Sequence, residues 1–166
     1  LARSKHVALG EWEPALAQIT ETAARVLGVG RASVWLFSRD RQQMVCADLY
    51  AAAGRRHTAG DVLLASEYPA YFAALEGERT VTAHEARTDE RTREFAASYL
   101  LPHDICAMLD SPVRSSGQVI GVLCHEAVGQ PRVWTAEDEL FAGSLADLVS
   151  LAHEARARRR AEEALR

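Results

Sequence analysis

Residues 105–126, ICAMLDSPVRSSGQVIGVLCHE, decide how the rest of the chain is read. Two runs dense in apolar and β-branched side chains, 105–113 and 118–126, flank a short polar stretch ending in Gly117. A three-residue loop with glycine in the left-handed position is a common join between antiparallel strands. The reading predicts a β-hairpin whose loop is Ser115 to Gly117, so that Arg114 pairs with Gln118. Counting back places Met108 opposite Cys124 and Cys106 opposite Glu126. Side chains alternate along a strand, so Cys106, Met108 and Asp110 share one face with Val122, Cys124 and Glu126. His125 points the other way and is read as a surface or helix-facing residue, so Cys124 and His125 do not address one ligand together. A disulfide between Cys106 and Cys124 is not expected, because diagonal neighbours lie beyond the Cβ separation of about 4 Å that a bridge requires. Asp110, a carboxylate inside a hairpin, calls for an arginine partner, solvent or a ligand.

Helices and strands alternate on either side of this hairpin. Trp12, Leu16, Ile19, Ala23 and Val26 draw one apolar stripe down a helix that Gly28 stops. RASVWLF (31–37) and QMVCADLY (43–50) follow as a strand pair across a polar turn. Pro69 opens a short helix carrying Tyr68, Tyr71, Phe72 and Leu75, Gly77 ends it, and RTVTA (79–83) reads as a strand. A second short helix begins after Thr88, runs through Phe95 to Tyr99 and stops before Pro102. Thr135 and Asp138 make a capping-box pattern, after which Phe141, Leu145, Leu148 and Ala152 form a core-facing stripe. From residue 153 the sequence turns charged and alanine-rich, helical in character but with little to bury.

The 166 residues suit one domain. Nineteen basic residues, all arginine except Lys5, against 23 acidic ones give a net charge of −4, a poor match for general nucleic-acid binding. No apolar run approaches the roughly 18 residues that cross a bilayer, which predicts a soluble, cytoplasmic segment with no membrane partner. Three widely spaced cysteines do not make a disulfide framework and read as reduced, buried thiols.

The succession REFAASYLLPHDICAMLDSPVRSSGQVIGVLCHE, then RVWTAEDELFAGSLADLVSLA, resembles the C-terminal half of a GAF domain, and WEPALAQITETAARVLGVGRASVWLF resembles its opening helix and first strand. The resemblance implies an α/β (α+β) fold: a GAF/PAS-like central antiparallel sheet, terminal helices on one face, and short helices over a small-molecule pocket on the other. Residues 1–152 would be the sensory domain, and 153–166 would start a helical, coiled-coil-like linker to a covalently attached output domain. The implied role is non-catalytic sensing in a bacterial signal-transduction protein such as a histidine kinase. An unidentified small molecule would bias the terminal helices, through which the domain would also form a homodimer. The alternatives are a ligand-free structural dimerisation module and a cysteine-based redox sensor or enzyme. The candidate pocket residues are Tyr68, Tyr71, Phe72, Phe95, Tyr99, Cys106, Met108, Asp110, Val122, Cys124 and Glu126, with no catalytic or metal-ligating residue assigned.

The particular chemistries of the family fit less well. The cyclic-nucleotide-binding members carry an Asn-Lys pair, but this chain has no asparagine and its one lysine is Lys5. The bilin-binding members place pocket residues where Tyr99, Met108, Asp110, Cys124 and Glu126 stand. They have histidines, however, at the positions of Glu126 and Ala96, and an attachment cysteine with no counterpart near Phe95. The members that reduce free methionine sulfoxide use loop cysteines, whereas Cys46, Cys106 and Cys124 fall in predicted strands. His84, His125 and His153 each precede a glutamate, but none has a second histidine four residues on, as a zinc-protease helix requires. Ser144 lacks the glycine elbow of a serine nucleophile.

Overall fold

The computed structural model describes residues 4–77 and 80–166. Helix α1 (Lys5–Leu9) and α2 (Trp12–Leu27) lead into β1 (Arg31–Phe37) and β2 (Gln43–Ala51), followed by the short strands β3 (Arg56–Thr58) and β4 (Val62–Leu64). Helix α3 (Pro69–Gly77) and β5 (Val81–Ala83) precede a 3₁₀ turn, Arg93–Phe95, that runs directly into a π turn, Ala96–Leu100. Strands β6 (Ile105–Ser115) and β7 (Gln118–Val128) form the hairpin, and α4 (Ala136–Ala164) closes the fold. All strand pairs are antiparallel, in the order β3-β2-β1-β7-β6-β5, with β4 paired to β2 beside β3. The mixed fold of helices on an antiparallel sheet is the one expected.

The hairpin differs from the predicted register in an instructive way. Its loop is two residues, Ser116 and Gly117, both at positive φ, and Ser115 pairs with Gln118. That twist suits a tight hairpin with glycine second. A bulge between Val113 and Arg114 then shifts the register by one more residue, so Asp110 lies opposite Cys124 and Met108 opposite Glu126. The two one-residue shifts add to an even number, so the predicted faces survive although the predicted partners do not. A second irregularity, between Ile105 and Ala107, sets Cys106 outside the regular ladder. Pro112 lies past the stretch of β6 that β5 covers, where β6 is an edge strand and proline is tolerated.

Two apolar layers sandwich the sheet. Leu16, Ile19 and Ala23 of α2 and Leu145, Val149 and Ala152 of α4 pack on Ala32, Val34, Leu109, Val113 and Leu123. Val26, assigned to the α2 stripe, is instead exposed, and Leu27 takes the buried position. Thr135 caps α4 as expected, its side chain accepting from the Asp138 N–H while the Asp138 carboxylate accepts from the Thr135 N–H. Helix α4 passes residue 153 without a break, and it does have something to bury there. Ala155 is buried, the Arg156 guanidinium lies 5.0 Å over the Trp12 ring, and a Cβ at Gly10 would lie 2.8 Å from the Ala155 backbone. The close approach of α1 to α4 therefore needs glycine at position 10, which also ends α1 at φ 65°.

Candidate functional site

The second layer covers the opposite face of the sheet. Trp35, Met44, Cys46, Met108, Val122 and Cys124 rise from the strands to meet Tyr71, Phe72 and Leu75 of α3, with Phe95 and Leu100 from the irregular turns. The cap is tied together by the Glu94 carboxylate, which accepts the Ala70 and Tyr71 N–H groups at the start of α3. Tyr68 stacks on Phe95 at 4.3 Å, and Tyr71 meets the same ring edge-on.

Between the cap and the sheet lies a small, partly open cavity of about 20 Å³ lined by Trp35, Leu63, Tyr71, Phe95, Tyr99, Met108, Cys124 and Glu126. That volume holds about one water molecule. The surface the cavity presents is almost wholly apolar, but a cluster of polar groups stands around it. The Tyr71 hydroxyl donates to Asp110 Oδ2 and lies 3.6 Å from Cys124 Sγ. Tyr99 donates to Glu126 Oε1 at 2.7 Å, and Arg31 Nε donates to Glu126 Oε2 at 3.1 Å. Asp110 and Glu126 are both fully or almost fully buried, and Asp110 Oδ1 makes no hydrogen bond with the described residues.

Burial sets the ionisation of this cluster. It pushes the Asp110 carboxyl up to about 7, against the Tyr71 hydrogen bond and with help from the Glu126 charge. It also pushes Glu126 above the usual carboxylate range, while Arg31 and Tyr99 pull it back. The Cys124 thiol is driven well up by burial and by the two carboxyls, and Cys46 is pushed up to about 12, chiefly by burial. Neither is poised to form a thiolate at neutral pH.

Six of the eleven sequence candidates, Tyr71, Phe95, Tyr99, Met108, Cys124 and Glu126, line the cavity. Asp110 stands behind Tyr71, and its partner is that phenol, neither an arginine nor solvent. Val122 lies in the same layer, Tyr68 forms the outer wall through Phe95, and Phe72 packs against Phe37 instead. Cys106 is absent from the lining. It is half-buried at the irregularity, 3.9 Å from the Arg87 guanidinium, and so departs from the reading of all three cysteines as buried. All three cysteines are free. His125 is fully buried on the helix side, donating Nδ1–H to the Leu109 carbonyl at 2.7 Å; burial pushes it down to about 4 and keeps it neutral.

Arg31, Trp35 and Leu63 join the site from β1 and β4 without having been foreseen. Arg31 pairs across the sheet with Glu126, 95 residues away, and Trp35 with Val122. A lone cation heading an apolar strand was the only local signal for the former.

A family model described as GAF domain matches residues 11–153. No curated protein sequence matches the chain. Among solved structures, the chain is similar to the blue-light absorbing form of the PixJ GAF domain of Thermosynechococcus elongatus (16% identity, 95% of this chain and 92% of that one, TM-score 0.74). It is also similar to free methionine-R-sulfoxide reductase of Neisseria meningitidis in complex with its substrate (17%, 90% and 82%, 0.71). A third likeness is to a domain assigned to a two-component sensor histidine kinase of Sinorhizobium meliloti (19%, 89% and 92%, 0.64). At these identities the likeness is one of fold.

Proposed function

The chain belongs to the GAF domain family, and on that premise we propose that it is a sensory regulatory domain that works by changing conformation and not by turnover. The observation that carries this reading is the polar cluster walled in beneath the cap. A purely structural core gains nothing from two buried carboxyls, the buried Tyr71 phenol and a carboxyl oxygen without a hydrogen bond, since each such group costs desolvation. Clusters of this kind mark binding sites. Arg31 pairs with Glu126 alone and Asp110 has no cationic partner among the described residues, so an uncharged or cationic small molecule bearing N–H donors complements the site better than a nucleotide or another anion. Such a ligand is larger than a water and enters only if the Phe95–Tyr99 segment lifts, and a π turn is a frequent feature of functional segments.

A ligand that binds the lifted state better shifts the population toward it. The route outward is β7, whose Cys124 and Glu126 face the site while Leu123 and His125 face the helices. Helix α4 would carry that shift to an output domain, as a histidine kinase homologue would require, and would pair with its counterpart in a homodimer. Leu140 and Leu151, exposed on α4, support the pairing; Leu140→Glu with Leu151→Glu should convert a dimer to a monomer in sedimentation.

A second reading, a ligand-free dimerisation module, is favoured by the small size of the cavity. The raised Cys46 and Cys124 thiols weigh against a cysteine-based enzyme. Thermal-shift measurement against benzamidine, tryptamine and cyclic nucleotides separates the first two. Stabilisation by the N–H donors that is lost in Glu126→Gln, a change in the cavity lining, supports sensing. No stabilisation by any probe supports the module.

A further inference from the structure

Away from the cavity, on the helix-bearing side, His57 of β3 stands between two carboxylates. Its Nδ1 lies 3.0 and 3.1 Å from the two oxygens of Asp48 on β2, and its Nε2 lies 2.7 Å from Glu21 Oε1 on α2. Asp48 is itself held by the Thr20 hydroxyl of α2 at 2.6 Å, and both Thr20 and Asp48 are buried. The ring packs against Tyr50 with centroids 4.9 Å apart. A neutral imidazole carries one N–H, so with acceptors at both ends only the imidazolium satisfies both contacts. The charged and titratable groups facing the ring are Asp48 and Tyr50 from β2 and Glu21 from α2; Arg25 of α2 and Arg55 of the β2–β3 turn line the adjoining groove with Tyr50.

We propose that Glu21, His57 and Asp48 form a proton-operated clasp that ties edge strand β3 to helix α2 and makes pH a second input to the domain. β3 has three residues, all exposed, and among the described residues pairs only with β2, over Leu49 to Ala51. Little besides the clasp therefore holds it down. When the ring loses its proton, the N–H remaining at Nδ1 stays with the less exposed Asp48, whose side chain is 13% accessible. The Nε2 lone pair then faces the carboxylate of Glu21, which is 55% accessible and swings into water. Burial works against the charged ring, but hydrogen bonds and charge from Glu21 and Asp48 outweigh it and leave the histidine above its ordinary value. The sign follows from that direction: a histidine raised in the fold contributes stability that is full below its unfolded value and is lost as the pH rises through the folded one. The clasp is closed in acid and opens toward alkaline pH. Because α2 packs on α4, release of Glu21 frees one side of the helix pair that carries the signal. The clasp is separate from the cavity, so it stands whether or not a ligand binds there.

Two measurements on the intact chain test this. In a ring ¹⁵N NMR titration, the His57 midpoint should lie above the free-histidine value of about 6.5, and Glu21→Gln, an exposed change, should lower it. In hydrogen exchange, amides 56–58 should lose protection as the pH rises through that midpoint once intrinsic exchange rates are divided out. His57→Gln should abolish that step. A wild-type midpoint at or below 6.5, or one that Glu21→Gln leaves in place, overturns the clasp, as does an exchange step that persists in His57→Gln.

Discussion

Asp110 on β6 and His125 on β7 lie on opposite faces of one hairpin, and burial moves the first up to about 7 and the second down to about 4. Their effects on folding oppose each other. A carboxyl raised in the fold above its unfolded value of about 3.9 contributes stability that is full below pH 4 and is lost as the pH rises to 7. Three units at about 1.4 kcal/mol each amount to about 4 kcal/mol. A histidine depressed below its unfolded value of about 6.5 contributes stability that is full above that pH and is lost as the pH falls to 4, about 3 kcal/mol in all. Between pH 4 and 6.5 the two nearly cancel in the wild type, and single substitutions unmask them. Urea unfolding of wild type, Asp110→Asn and His125→Asn, followed by tryptophan fluorescence and far-UV circular dichroism at half-unit steps, gives two difference curves in which all other groups drop out. Relative to wild type, Asp110→Asn should gain about 4 kcal/mol between pH 4 and 7. His125→Asn should gain about 3 kcal/mol as the pH falls from 6.5 to 4. A flat difference curve for either variant refutes the corresponding buried titration.

Other substitutions probe the frame around the site. Gly121 lies so close to the Trp35 carbonyl oxygen and to Leu36 that a Cβ there displaces β1 from β7. Gly121→Ala should therefore cost about 2–4 kcal/mol in urea unfolding. Gly143, mid-helix in α4 with open space around it, is the control: Gly143→Ala should stabilise by about 0.5–1 kcal/mol. Arg31→Gln leaves the nearly inaccessible Glu126 with only the Tyr99 hydroxyl and should cost about 3 kcal/mol, measured the same way. Thr135→Ala removes one half of the capping box and should lower stability by about 1 kcal/mol, with the first turn of α4 losing exchange protection.

The long, strongly patterned elements were legible because their patterns are local. The α2 stripe, the β1 and β2 runs and the Thr135 cap each declare themselves within a few residues. The faces of the β6–β7 hairpin were legible too, although for a fragile reason. A turn one residue shorter and a bulge one residue wide each moved the register once, and only their sum preserved the parity that puts Asp110, Cys124 and Glu126 together. Neither feature has a clear signature in RSSG. The short elements α1, β3 and β4 carry too few residues to show a period, and they exist because neighbouring elements hold them. Arg31 and Glu21 illustrate the other limit. Their charges could be seen, but their partners Glu126 and His57 are distant in sequence and meet them only through the sheet order. The depth at which His125 is buried was equally out of reach, since alternation gives the side of a strand and not the thickness of what covers it.

The central claim is that the polar cluster beneath Phe95 and Tyr99 receives a small molecule. Native mass spectrometry of the protein purified from its own host tests it most directly. The account predicts a mass excess of one small molecule per chain, released on denaturation and absent from Glu126→Gln. The bare polypeptide mass, with amides 93–101 as protected from exchange as those of β7, would contradict it and leave the domain a sealed structural module.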